Sequence, residues 1–138
     1  MVRQRVREFA RRELAPGAAQ RDREATFPKD AFAKMADLGY LGMMVPEEFG
    51  GAGADCVSYY FALMEIAAAD GAASTALQVH NSLVCMPILK FGSAEQKERF
   101  LRPLATGYRA SNIGSVPTPI EPGELQTTAH MTVVFELR

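Results

Sequence analysis

Residues 38–55 read LGYLGMMVPEEFGGAGAD and separate two helical regions of the chain. Gly50, Gly51 and Gly53 permit backbone angles that are closed to other residues, so a loop is predicted from Leu41 to Asp55. This glycine-rich stretch could be taken for a phosphate-binding loop. It lacks the lysine of the GxxxxGK[ST] motif and follows no predicted strand, which favours a structural turn.

Two amphipathic helices are predicted before the loop. The first ends at Pro16-Gly17 and has arginines on its polar side; its apolar positions are Val2, Val6, Phe9, Ala10 and Leu14. The second is introduced by Phe27-Pro28 and ends at Gly39; its apolar positions are Phe32, Met35, Ala36 and Leu38. The pattern indicates a helical hairpin.

Three more helical segments are predicted after the loop. The third helix ends at Asp70-Gly71 and has apolar residues at i, i+3, i+4, i+7 and i+11, namely Val57, Tyr60, Phe61, Met64 and Ala68. Residues 72–91 are apolar or small on nearly every side, which predicts a central, buried helix that Pro87 kinks or divides. Ser93 and Gln96 form a capping-box signature for a last helix, with its stripe at Phe100, Leu101 and Leu104 and its end at Gly107.

The character of the sequence changes after Gly107. Prolines crowd the segment at positions 117, 119 and 122, and residues 131–137 alternate in polarity, which predicts a single strand. The predicted fold class is therefore all-α, a helical bundle over residues 1–107, followed by a short irregular or β tail over residues 108–138.

Composition excludes several classes of partner. With 15 basic and 16 acidic side chains the formal net charge is -1, so no general attraction to nucleic acid or to an anionic membrane is expected. No apolar run approaches the roughly 20 residues that span a bilayer, and no secretory signal is recognised, so a soluble protein in a reducing compartment is expected. Cys56 and Cys85 fall within apolar helical patterns and are interpreted as buried free thiols.

Three stretches resemble the N-terminal domain of the acyl-CoA dehydrogenase family, flavoproteins that oxidise the Cα–Cβ bond of acyl-CoA thioesters. They are residues 38–55, the HNSL of residues 80–83 with PILKFGSAEQKERFLRPLATG at 87–107, and more weakly the opening REFARRELAP. The resemblance implies an acyl-CoA thioester as substrate and FAD as cofactor of the full-length enzyme. It also implies the cytoplasm as location for a bacterial protein, or the mitochondrial matrix for a eukaryotic one.

The resemblance weakens beyond residue 107. Family members continue into a middle β-domain that opens with a flavin-binding segment, whereas residues 113–125 of this chain read IGSVPTPIEPGEL and lack its Gly-Ser-Asp. Residues 108–138 are accordingly interpreted as a divergent remnant of that domain, and no flavin contact is transferred to them. FAD is not expected to be retained by this chain alone.

No catalytic residue is assigned. The family's catalytic base is a glutamate of the C-terminal helical domain, which has no counterpart in this sequence. Glu47 and Glu48 are adjacent in a loop and are expected to diverge, and Glu65 and Asp70 are interpreted as solvated or capping groups. His80 has no second ligand at metal spacing, so a satisfied core histidine is favoured over a metal site.

The resemblance implies one substrate-binding role. In the family, one face of the fourth helix approaches the distal part of the acyl chain, and the matching positions are Thr75, Val79 and Leu83, spaced i, i+4 and i+8 on one helical stripe. The alternative is ordinary core packing.

Two functions are predicted from these observations. One is a fragment of an acyl-CoA dehydrogenase that walls the acyl and flavin site and is inactive alone. The other is a stand-alone helical interaction module that docks on another subunit. Helix faces left without partners also predict self-association through residues 72–91.

Overall fold

The computed structural model describes residues 2–107, and these residues form helices joined by turns and loops without a strand. Helix α1 (Val2–Phe9) continues through a wider π-helical turn, Ala10–Leu14. Its predicted apolar face is confirmed, since Val6, Phe9, Ala10 and Leu14 are buried, while Val2 at the first turn is exposed.

Helix α2 (Ala18–Glu24) was not predicted. None of its residues is buried, so the segment has no apolar periodicity to reveal it. Arg21 holds it in place by donating to the carbonyl oxygens of Leu14 and Pro16 at the end of the first helix. Helix α3 (Lys29–Asp37) is present as predicted, but only Met35 of its predicted apolar positions is buried, and Leu38 is exposed.

Helix α4 (Cys56–Ala67) turns a different face to the core from the one the sequence predicted. Its buried residues are Tyr59, Ala62, Leu63, Glu65 and Ile66. The predicted stripe is exposed, with Val57, Tyr60 and Met64 each more than half accessible. Both faces of α4 are apolar, so periodicity could not identify the one that packs against α1 and α5.

The long helix, residues 71–91, comprises α5 (Gly71–Gln78), a π-helical segment (Val79–Cys85) and α6 (Met86–Phe91). The prediction of a helix buried all round is wrong: one side is buried and the other is exposed. Pro87 does not end the helix. The turn before it is wound more widely, and the Met86 amide donates to the Asn81 carbonyl, five residues earlier.

The last helix, residues 94–106, comprises α7 (Ala94–Gln96), a π-helical turn (Lys97–Leu101) and α8 (Arg102–Thr106). The predicted capping box is confirmed, since Ser93 and Gln96 exchange side-chain to backbone hydrogen bonds of 3.2 and 2.8 Å. Gly107 ends the helix with φ 61°, and a Cβ atom at that position would lie 2.2 Å from Ala36 Cβ on α3.

The described core has two parts. The larger contains residues of α1, α3, α4, α5 and the start of the 38–55 stretch, among them Leu14, Met35, Ile66 and Leu77. The smaller joins that stretch and the long helix to the last helix through Val45, Cys85, Leu101 and Ala105. The predicted helical bundle is thus confirmed, while the prolines and strand predicted within residues 108–138 lie outside the described residues.

Within residues 2–107, no helix is both long enough and apolar enough to cross a bilayer.

Candidate functional site

The long helix carries two stripes of opposite character, each advancing four residues at a time. Ala73, Leu77, Asn81 and Cys85 are buried. Thr75, Val79 and Leu83 are all exposed, and Leu83 is 68% accessible. The structure therefore brings the three predicted wall residues onto one surface, which we call the outward stripe. They are not core residues of the described domain, so ordinary core packing does not account for them.

Asn81 fixes the long helix against the 38–55 stretch. Its side chain is 1% exposed, and its Oδ1 accepts from the Met43 amide at 3.1 Å. Its Nδ2 donates to the carbonyl oxygens of Tyr40 and Leu77 at 3.1 and 3.2 Å. A buried amide with three such partners specifies one orientation of the helix. Sequence reasoning missed this residue, although an asparagine within an apolar helix was a signal for it.

The glycine-rich loop is a folded turn whose amides are already used. The amides of Ala52, Gly53 and Ala54 donate to the carbonyl oxygens of Gly42, Val45 and Met43 at 2.7 to 2.9 Å. At Gly51 a Cβ atom would lie 2.0 Å from the Val45 carbonyl oxygen. The loop has no row of free N–H groups for a phosphate, which supports the structural interpretation over the phosphate loop.

Glu65 is neither solvated nor a cap, which corrects the sequence interpretation. It is 9% exposed and accepts from Arg7 at 2.8 Å and from Arg3 at 2.6 Å, across the α1–α4 contact. Hydrogen bonds from Arg7 and Arg3 lower the pKa of Glu65 to about 2. A carboxylate with this pKa stays ionised near neutral pH and is a poor general base.

Asp70 does cap a helix, as predicted. Its Oδ1 accepts from the Ala73 amide at 2.9 Å at the start of α5, while its Oδ2 pairs with Arg21. Glu47 and Glu48 are exposed on the 38–55 stretch. None of these four acids lies on the outward stripe.

His80 is satisfied by the fold, as favoured from the sequence. Its Nε2 lies 3.1 Å from the Leu104 carbonyl oxygen, which can only accept, so Nε2 carries the proton. The described residues contain no group of three or more His, Cys, Asp or Glu side chains that could hold a metal ion.

Cys85 is buried, and burial raises the pKa of its thiol to about 11. Cys56 is exposed at the start of α4, so its predicted burial is wrong.

The chemical character of the outward stripe follows from these contacts. It presents a threonine, a valine and a leucine on a helix whose opposite side is fixed by Asn81. The Thr75 hydroxyl donates to the Gly71 carbonyl at 3.0 Å, which leaves a mostly apolar surface. Such a surface can pack against a hydrocarbon chain and exclude water from it, but it supplies no acid, base or nucleophile.

Comparison with known proteins identifies relatives of this domain. Residues 1–108 match the family model for the N-terminal domain of acyl-CoA dehydrogenase. The chain is 50% identical over 107 residues to the mitochondrial short-chain specific acyl-CoA dehydrogenase of Mus musculus, covering 78% of this chain and 26% of that protein. It is 41% identical over 131 residues to an acyl-CoA dehydrogenase of Bacillus subtilis, covering 94% of this chain and 35% of that protein.

A solved structure agrees with these matches. The acyl-CoA dehydrogenase from Bacillus anthracis complexed with FAD superposes with a TM-score of 0.71 and 30% identity, over 78% of this chain and 18% of that one. The chain spans about a quarter to a third of the length of the two curated relatives. The Bacillus subtilis match extends beyond residue 107, into the segment where the sequence resemblance weakens.

Proposed function

The chain belongs to the acyl-CoA dehydrogenase family through its N-terminal domain, and on this premise we propose that residues 1–107 form one wall of an acyl-CoA binding site. The observation that carries the proposal is the outward stripe. Val79 and Leu83 are 42% and 68% exposed, although they sit on a helix anchored by the buried Asn81. An anchored apolar surface that stays exposed within residues 2–107 suits a ligand or domain that packs onto it.

The function of the complete enzyme would be the FAD-dependent oxidation of acyl-CoA thioesters between Cα and Cβ. The relatives named above are acyl-CoA dehydrogenases, and one of them is complexed with FAD. Within this chain, Thr75, Val79 and Leu83 would contact the distal part of the acyl group and hold it away from water. We propose that residues 108–138 are a divergent remnant of the start of the middle β-domain, and the Bacillus subtilis match, which extends beyond residue 107, supports this proposal.

Residues 2–107 do not fit a flavin cradle by themselves. The N–H groups of the glycine-rich loop already donate hydrogen bonds to backbone carbonyl oxygens, so they cannot hold a pyrophosphate. The arginines nearest the core, Arg7 and Arg21, are committed to Glu65 and Asp70. We therefore expect this chain alone to retain no FAD and to catalyse no acyl-CoA oxidation.

The cellular location would depend on the source of the protein. It would be the cytoplasm of a bacterium or the mitochondrial matrix of a eukaryote.

A domain exchange tests whether the outward stripe contacts the acyl group. The mouse short-chain enzyme, carrying residues 1–107 of this chain in place of its matching segment, should oxidise acyl-CoA substrates. Leu83→Ala and Val79→Ala should then raise kcat/KM for longer acyl groups relative to shorter ones, by about 10-fold or more, because one methylene in an apolar pocket is worth about 1–3 kcal/mol. Ser82→Ala, on the same turn, is the control. An unchanged chain-length profile in both wall variants would refute the assignment.

A second function is favoured by the exposed face of α4. Val57, Tyr60 and Met64 lie there at helical spacing and are each more than half exposed. An interaction module would bury this face, together with the outward stripe, against another subunit or a second copy. Light scattering of the chain should then report self-association that the double variant Val79→Glu, Leu83→Lys reduces without unfolding, because both side chains are exposed. A monomer at all concentrations would argue against a second copy as the partner.

A further inference from the structure

An apolar groove lies where the long helix ends. It has a volume of about 310 Å³ and is lined by Pro87, Ile88, Phe91, Gly92, Gln96 and Phe100. Phe91 is 78% exposed and Phe100 is 46% exposed. The turn between the two helices is tight, since a Cβ atom at Gly92 would lie 2.5 Å from the Ile88 carbonyl oxygen. The groove is at the small end of ligand pockets, which suits one or two side chains.

A cation lies over each exposed ring. Lys90 Nζ is 5.4 Å from the centre of the Phe91 ring, and the Arg99 guanidinium carbon is 5.1 Å from the centre of the Phe100 ring. Both distances are within the range of cation–π attraction. The rim of the groove therefore combines two aromatic faces with two positive charges.

Acidic groups of the same segment do not cancel this charge. Within residues 90–102 there are four basic and two acidic side chains. One of the acids, Glu98, is bound by Arg102 at 2.7 Å. Apart from that pair, residues 90–102 have one acidic side chain, Glu95, and three basic ones, Lys90, Lys97 and Arg99, so the segment carries a net positive charge.

We propose that this groove binds a segment of a separate polypeptide that carries an apolar side chain flanked by carboxylates. The apolar side chain would fill the space between Phe91 and Phe100, and the carboxylates would pair with Lys90 and Arg99. Aromatic residues and arginine are enriched at the centres of protein interfaces, and complementary charge selects the partner. The groove does not include the outward stripe, so this binding is independent of the acyl-CoA wall.

Peptide binding to the full chain tests the chemistry of the groove. The probe is a fluorescein-labelled peptide, Ser-Glu-Ile-Phe-Glu-Ser, followed by fluorescence anisotropy. One control peptide replaces both glutamates by lysine, and the other replaces Ile-Phe by Ala-Ala. The acidic peptide should bind at least tenfold more tightly than either control at low salt. Its advantage over the lysine peptide should shrink towards 1 M salt, where the Debye length falls to about 3 Å.

Variants of the chain locate the binding. Lys90→Ala with Arg99→Ala should weaken binding of the acidic peptide about fivefold, as expected for exposed charge pairs, and Phe91→Ala should weaken it about tenfold. Arg23→Ala, which removes an exposed arginine from α2, should leave it unchanged. Circular dichroism melts verify that each variant is folded.

Three results would overturn the proposal. They are no measurable binding of the acidic peptide, equal binding of the lysine peptide, and binding that survives both the loss of the two cations and the loss of Phe91.

Discussion

Arg21 Nη2 lies 2.7 Å from Asp70 Oδ2, and this ion pair joins α2 to the N-terminus of α5. Both side chains are largely buried, with 19% and 7% exposure. Asp70 also caps α5 through the Ala73 amide, so one carboxylate serves two helices. A helix with no buried residue, α2, is thus held to the bundle by a polar contact.

Loss of this carboxylate should destabilise the domain. Asp70→Ala is expected to lower the free energy of unfolding by about 2–4 kcal/mol, since it removes a helix cap and leaves Arg21 without its charge partner. Urea denaturation measures the change. Asp55→Ala, which removes the exposed cap of α4, is the matched control and should cost less. Equal losses in the two variants would mean that the Arg21 pair contributes nothing.

Asn81 should be the most sensitive polar position of the long helix. Asn81→Ala leaves the Met43 amide and the carbonyls of Tyr40 and Leu77 without a side-chain partner, and we expect a loss of about 2–4 kcal/mol. Ser82→Ala, which removes a bond only to the Gln78 carbonyl of its own helix, should change the free energy of unfolding by less than about 0.5 kcal/mol. Denaturant midpoints that rank the two variants in the opposite order would contradict the anchoring role.

Glu65 predicts a specific loss of stability in acid. Its pKa is about 2 in the folded chain and is expected to be near the ordinary value of 4.5 when unfolded. The unfolded state therefore takes up the proton first, and the stabilisation, fully present above pH 4.5, is lost as the pH falls towards 2. Urea midpoints measured across this window should fall less steeply for Glu65→Gln than for the parent. The exposed Glu95→Gln is the control, and it should keep the parent slope.

The glycine-rich loop should tolerate no side chain at Gly51. Gly51→Ala places a Cβ atom against the Val45 carbonyl and should cost about 1–3 kcal/mol, as other overpacked sites do. At Gly71, in the first turn of α5, nothing lies within 4 Å of an added Cβ. Gly71→Ala should therefore be neutral or slightly stabilising, since alanine restricts the unfolded chain. Thermal melts should show a lower Tm for Gly51→Ala and an unchanged or slightly higher Tm for Gly71→Ala, and equal destabilisation would contradict this account of the loop.

The sequence predicted most helix boundaries because the boundaries have local chemistry. The capping box of Ser93 and Gln96 marks the start of the last helix, and Gly107, with its positive φ, marks its end. Both signals act within a few residues, and the structure confirms both. Helix α2 lacks such a signal. Its position depends on Arg21 reaching Asp70, a contact between residues 49 positions apart that no local pattern contains.

The choice of buried face was harder to predict. Tyr59 and Tyr60 are neighbours on α4, yet Tyr59 is 2% exposed and Tyr60 is 58% exposed. Burial is decided by where α1 and α5 pack, including the bonds of Arg3 and Arg7 to Glu65. For the candidate site, the spacing of Thr75, Val79 and Leu83 was sufficient to place them on one stripe. The anchoring by Asn81 was not predicted, because its partners Tyr40 and Met43 are distant in sequence.

The close contact of Gly107 with Ala36 has a geometric consequence. With no room for a Cβ atom between them, the backbone at residue 107 rests directly on α3. Residue 107 is therefore held in a defined position relative to α3, and so is the point from which the chain continues. The distance from that point to the outward stripe is therefore set by the packing of the folded helices.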